Sequence, residues 1–218
     1  CDGESRMQSA EYFLDDFSTP NLEGITMEPT DGQYDEQCEY VESVVDIDGL
    51  EDGTHYLKFH GKDTAENWGK LSGFDPVSFI KDTMAPVSSK DIEGELITCD
   101  IDEINGKDIT DGCYYTKSGT NITLTAMDPD PQGTDEFAGL DKIYYKIYWS
   151  HDGSSWEIID QGSSSDEVKI ELRNDSYHLI EYWSEDVCGN EEDHHFELDI
   201  VDTKSPKTDK EIGGPMIE

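Results

Sequence analysis

Carboxylates, cysteines and a pair of adjacent histidines are the residues of this sequence that could do chemistry. In Asp31-Gly-Gln-Tyr-Asp35-Glu-Gln-Cys-Glu39 the acids Asp31, Asp35 and Glu39 stand at loop spacing, with a glycine to turn the chain. A second loop places Asp128, Asp130, Asp135, Glu136 and Asp141 within 14 residues. Calcium takes roughly six to eight oxygens, mainly from carboxylates and backbone carbonyls, so both loops are candidate calcium sites. The first lacks the spacing of an EF-hand. The competing expectation is that acids fill these turns only because the whole surface is acidic. His194 and His195 follow Asp193, but adjacent strand residues point to opposite faces, so the two imidazoles are poorly placed to share one ion.

The five cysteines, at 1, 38, 99, 113 and 188, show neither a CxxC nor a Cys/His pair at zinc spacing. Their dispersed placement suits disulfides in an oxidising compartment, and the expected pairs are Cys99 with Cys113 and Cys1 with Cys38. Asn121-Ile-Thr123 and Asn174-Asp-Ser176 are acceptor triplets for N-glycosylation. A nucleophile elbow, a P-loop, an H-E-x-x-H and a Gly-rich dinucleotide turn are all missing from the sequence, which is therefore read as non-enzymatic. Tyr144, Tyr145, Tyr148, Trp149 and Trp156 could stack against sugar rings, although alternation along a strand must turn about half of them inward.

The elements that would position these residues are strands. Val168, Ile170 and Leu172 alternate with charged residues, as do Ile143, Tyr145, Ile147 and Trp149, then Ile122, Leu124 and Ala126, and finally Phe196, Leu198 and Ile200. With Tyr177 to Ser184 they form at least five strands separated by Asp/Gly/Ser turns, the pattern of a β-sandwich. The first half reads more thinly, with strands near Arg6 to Asp15, Tyr40 to Ile47, Thr54 to Asp63 and Val77 to Lys81. No amphipathic helix stands out. Lys and Arg number 15 against 52 Asp and Glu, a formal charge of −37. A surface this acidic repels phosphate backbones and anionic lipid, which sets nucleic acid and bare membrane aside as partners. No apolar stretch approaches the roughly 20 residues that span a bilayer, so direct membrane insertion is not expected. Self-repulsion at this charge calls for neutralisation by divalent cations or high salt.

One segment occurs twice. Asp82/Asp202, Thr83/Thr203, Pro86/Pro206, Lys90/Lys210, Ile92/Ile212 and Gly94/Gly214 match across two junctions, and upstream of each lies a His-bearing strand running into Asp63-Thr-Ala-Glu-Asn67 or Asp186-Val-Cys-Gly-Asn190. The Asp and Asn of those turns are expected to bond backbone locally. The sequence thus divides into modules at 1–85 and 86–204 and a tail at 205–218.

At these residues the chain resembles the bacterial and archaeal Ig-like repeats of surface-layer proteins, adhesins and other large exported proteins. Their modules end in a strand, a turn like Asp-x-Ala-Gly-Asn, a last strand, and Asp-Thr-x-x-Pro leading onward. Departures are Glu66 for the usual Gly, Cys188 for a small residue, and an insertion from about Leu96 to Tyr114. The resemblance implies an all-β fold of tandem Ig-like β-sandwich domains, located outside the cell and acting as spacers, adhesive units or lattice parts. Partners would be neighbouring repeats or other copies of the chain, and possible glycans. The alternative is a carbohydrate- or ligand-binding module of an adhesin or exported hydrolase. Module one lacks an opening strand, whereas the tail repeats the segment that opens module two. Either the chain is a segment of a longer array, or the tail of one copy completes module one of the next by strand addition.

Overall fold

A computed structural model describes residues 5–15, 23–71, 77–130 and 137–209. All regular structure among them is β, and no helix there is long and apolar enough to cross a membrane. Packing divides the chain into two compact units, Cys1–Met84 with Asp128–Ala138, and Ala85–Met127 with Gly139–Glu218.

The second unit is an Ig-like β-sandwich. Its strands are β6 (Val87–Ile92), β7 (Ile97–Thr98), β8 (Glu103–Ile104), β9 (Lys107–Asp108), β10 (Cys113–Thr116), β11 (Asn121–Met127), β12 (Leu140–Ser150), β13 (Glu157–Ser164), β14 (Val168–Glu171), β15 (Ser176–Asp186) and β16 (His195–Val201). One sheet runs β13-β12-β15-β16-β10-β7 and the other β14-β11-β6, while β8 and β9 form a separate hairpin. The pairing of β10 with β16 is parallel and the others are antiparallel. Period-2 alternation explains the interior. Ile122 and Leu124, Val168 and Ile170, and Ile143 and Ile147 all turn inward and meet Leu172, Ile180, Tyr182 and Val201 in one apolar core.

β16 departs from the sequence expectation in an instructive way. Phe196, Leu198 and Ile200 do share a face, but it is not the face toward the sandwich core. Leu198 and Ile200 pack outward with Cys113, beneath Cys99, Ile101, Ile104 and Ile109 of the insertion. The inward positions are Glu197, Asp199 and Val201, all buried. Alternation tells which residues share a face; an insertion that roofs the second face decides which face is wet. The disulfide Cys99–Cys113 ties this roof down, with Cα atoms 5.2 Å apart.

The first unit contains β1 (Met7–Leu14), β2 (Ile25–Pro29), β3 (Val41–Glu42), β4 (Gly53–Asp63) and β5 (Val77–Lys81) in one sheet of order β3-β2-β1-β4-β5. The strand expected over Tyr40 to Ile47 shrinks to β3, since only Val41 and Glu42 find partners on β2. The order β2-β1-β4-β5 repeats β13-β12-β15-β16 of the second unit, antiparallel throughout. Among the described residues no second sheet covers it. Ala10, Tyr12 and Phe13 of the central strand β1 are buried, whereas Ile25, Phe59 and Val77 are open, at 54%, 46% and 55% exposure.

Candidate functional site

The two repeated junctions fold identically, each within its own unit. At the first turn Asp63 Oδ1 accepts from the backbone N–H of Ala65 and Asn67 at 2.9 and 2.8 Å, and Oδ2 accepts from Asn67 Nδ2 at 3.0 Å. At the second, Asp186 accepts from Asn190 N at 2.8 Å and Asn190 Nδ2 at 2.7 Å. These bonds hold the Asp63 carboxyl below its ordinary range, the Asn67 side chain first and its backbone N–H next. Past the last strand, Thr83 gives its hydroxyl to Asp52 Oδ2 at 2.7 Å, as Thr203 does to Asp175 Oδ1 at 2.5 Å. Asp82 and Asp202 then cap their own turns through Met84 N at 3.0 Å and Lys204 N at 2.9 Å. The conserved chemistry of the repeat is therefore a set of backbone clamps, fixing how each unit ends.

The expected cation ligands of the first loop separate. Among the described residues Asp31, Asp35 and Glu39 do not gather within common ligand reach. Asp31 accepts from Gln33 N at 3.0 Å, and Glu39 Oε1 accepts from Asp35 N at 2.8 Å and from Glu36 N, so these acids shape the loop. Asp128 is buried and lies within 4.8 Å of Asp82, whose Oδ2 accepts from Ala138 N at 2.8 Å. Asp130 is half-buried, Asp141 pairs with Lys142 at 3.0 Å, and Asp135 and Glu136 lie outside the described residues. The sequence marks Asp82 only as part of the junction, because sequence separation hides its approach to Asp128.

Cys38 is disulfide-bonded, and Cys1 lies outside the described residues. Asn121 and Asn174 are both exposed, with Asn121 Nδ2 donating to Glu93 at 2.7 Å. The five aromatic residues separate to different places. Tyr145 packs against the main core and Trp156 under the insertion, while Trp149 lines a cleft of about 350 Å³ with Ile147, Ile170, Leu172 and His178. Tyr144 stays on the outer face and stacks on Trp183 at 5.3 Å, which stacks in turn on His194 at 4.0 Å. Lys146 sits over the same Trp183 ring, and Glu181 accepts from Tyr148 at 2.6 Å and contacts His194 Nδ1 at 2.7 Å. Burial acts to raise the Glu181 carboxyl, but Tyr148, His194 and Lys146 together hold it below its ordinary range. His195 lies apart on Tyr182, 5.0 Å away, so the adjacent imidazoles do take opposite faces.

Sequence reading missed the charged residues inside the sandwich. Glu197 and Asp199 are inaccessible to solvent, and Lys90 from β6 reaches Glu197 and Asp111. The hydroxyl of Tyr182 donates to Asp111 Oδ2. Burial first, then Asp111, pushes the Tyr182 phenol up. Burial alone pushes Asp199 up to about 7, against the pull of Lys90. The signal was present in principle, because Lys90 occupies an inward register position and recurs as Lys210.

No known family matches this chain, and no curated protein does. Among solved structures it is similar to fibronectin(III)-like modules of Clostridium thermocellum CbhA, at 12% identity and a TM-score of 0.37, over 96% of this chain and 87% of that one.

Proposed function

We propose that this chain is a non-enzymatic extracellular structural protein, a repeat unit of a surface layer, filament or adhesin. The observation that supports this reading is the duplicated junction. Two units end in the same Asp–Asn turn and the same Asp–Thr clamp, bond for bond. Repetition of a unit's ending is what an array needs to set each module in register with the next. The first unit, whose described residues form a single sheet, gives the array a means to grow: residues 205–218 of one copy, which repeat the opening of β6, complete the first unit of the next. Calcium stiffens the loops by neutralising carboxylates such as Asp82 and Asp128. Sedimentation of the full chain against a version ending at residue 204 tests the assembly. Concentration-dependent oligomers that vanish with the tail are expected, and identical monomers in both preparations contradict it.

A second reading, a carbohydrate-binding module, is favoured by the Tyr144–Trp183–His194 stack. Saturable binding on a glycan array, lost in Trp183→Ala, would select it over the first.

A further inference from the structure

The sandwich closes over charge where its first and last strands meet. β6 turns Ser88, Lys90 and Ile92 inward from one sheet, and β16 turns Glu197, Asp199 and Val201 inward from the other. Glu197 and Asp199 are fully buried, and the Lys90 side chain is 10% exposed. Nζ of Lys90 contacts Glu197 Oε2, and it reaches the carbonyl oxygen and Oδ2 of Asp111 at 2.8 Å each. It also lies 5.4 Å from the centre of the Tyr114 ring, which helps enclose it. Beyond the Lys90 contact, no hydrogen bond from the described residues reaches any of the four carboxylate oxygens of Glu197 and Asp199.

Buried carboxylates almost always have hydrogen-bond partners, because ions withdrawn from water are otherwise strongly destabilised. A network this poorly satisfied has two ways to shed charge. Asp199 can hold a proton, as its pKa of about 7 indicates. The Lys90–Glu197 ion pair can instead vanish by condensation. We propose that Lys90 Nζ and the Glu197 carboxyl condense to an intramolecular amide that joins the first strand of the sandwich covalently to its last.

The balance is simple. The Lys90 ammonium passes a proton to the Glu197 carboxylate it contacts, and the freed lone pair forms a bond to Glu197 Cδ of the resulting carboxylic acid. One Glu197 oxygen, protonated by the Asp199 carboxyl, leaves as water, and Asp199 regains a proton from the nitrogen. Ammonium and carboxylate give amide and one water, with no oxidant, reductant or further reactant. Held in contact, the two groups react as if at very high concentration, and the closed core removes the water that would favour the reverse reaction. The product replaces two buried ions with one neutral group. It also removes the positive charge that opposes protonation of Asp199. A force pulling on the two ends of the unit would then be carried by a covalent strut between the sheets. This inference stands apart from the proposed assembly, since it concerns one chain.

The test is the intact mass of the reduced, full-length chain, followed by peptide mapping. A deficit of one water, absent in Lys90→Arg, and a branched peptide joining Lys90 to Glu197 are expected. Asp199→Asn should slow the loss of water about tenfold or more. The full sequence mass for the folded chain would overturn the proposal. So would a deficit that persists in Lys90→Arg, which marks a succinimide at a site such as Asp111-Gly112, or a branch to another carboxylate. Mapping the parent chain decides the matter even if the Lys90 variant does not fold.

Discussion

At the scale of single residues, the repeated turn provides its own control. Glu66 adopts φ 67° and Gly189, at the same place in the second turn, φ 88°. A Cβ in this left-handed region costs about 1 kcal/mol or more, and glycine avoids it. Glu66→Gly is expected to stabilise the first unit by about 0.5–1 kcal/mol, and Gly189→Ala to destabilise the second by a similar amount, both read from denaturant midpoints. Opposite responses at two matched positions would not arise from a change in surface charge alone. Asp199 makes a pH prediction. Its folded pKa is raised from 3.8 to about 7 by burial. Folded chains hold this proton where unfolded chains release it, so its stabilisation is complete below the unfolded pKa and is lost as pH rises toward 7. Lys90, Glu197, Asp111, Tyr114, Tyr182 and His178 are the other charged and titratable groups of this interior. His178 acts oppositely, since burial depresses its pKa and its contribution fades as pH falls below the ordinary imidazole value. Asp199→Asn should therefore flatten the decline in melting temperature between about pH 5 and 8. An unchanged slope would place the titrating group elsewhere. Nothing in the spacing of 52 acids marks these particular two as buried. Their burial is set by the facing sheet, whose β6 brings Lys90 against Glu197 from a position remote in sequence.

At the scale of elements, alternation located the strands wherever one face is apolar. Val168, Ile170 and Leu172 point inward as their spacing predicts. β13 went unseen because Glu157–Ser164 is an exposed edge strand held to β12 by backbone pairing, with little side-chain pattern to read. The face of β16 could not be assigned either, for alternation is symmetric and the roof over Leu198 comes from residues 97–113. That roof is open to test. Its disulfide closes a loop with a sequence separation of 14. Replacing both Cys99 and Cys113 with Ser should cost the second unit about 3 kcal/mol by the chain-entropy account. Leu198→Ala leaves a cavity beneath the same roof and should cost about 2–5 kcal/mol. Because these sites share one cluster, the triple variant should lose less than the sum. Additive losses by calorimetry would mean that the insertion is fastened independently of Leu198.

At the scale of the whole molecule, the acidity and the repeated unit point the same way. A formal charge of −37 must be screened for two compact units to persist. If bound calcium does this specifically, millimolar calcium should raise the melting temperature well above that in sodium chloride of equal ionic strength, and a chelator should reverse the gain. Equal shifts in both salts would reduce the effect to general screening. The repeated junction was legible because matched Asp, Thr, Pro, Lys, Ile and Gly recur at the same spacing in both copies. That the described residues of the first unit form one sheet was not, since strand patterns do not reveal whether a facing sheet is present. The central claim is that this chain builds ordered assemblies from repeated units. Its most direct test is electron microscopy of the full chain with calcium and with chelator. The account predicts regular filaments or sheets with calcium that disperse on chelation, and isolated particles under both conditions would contradict it.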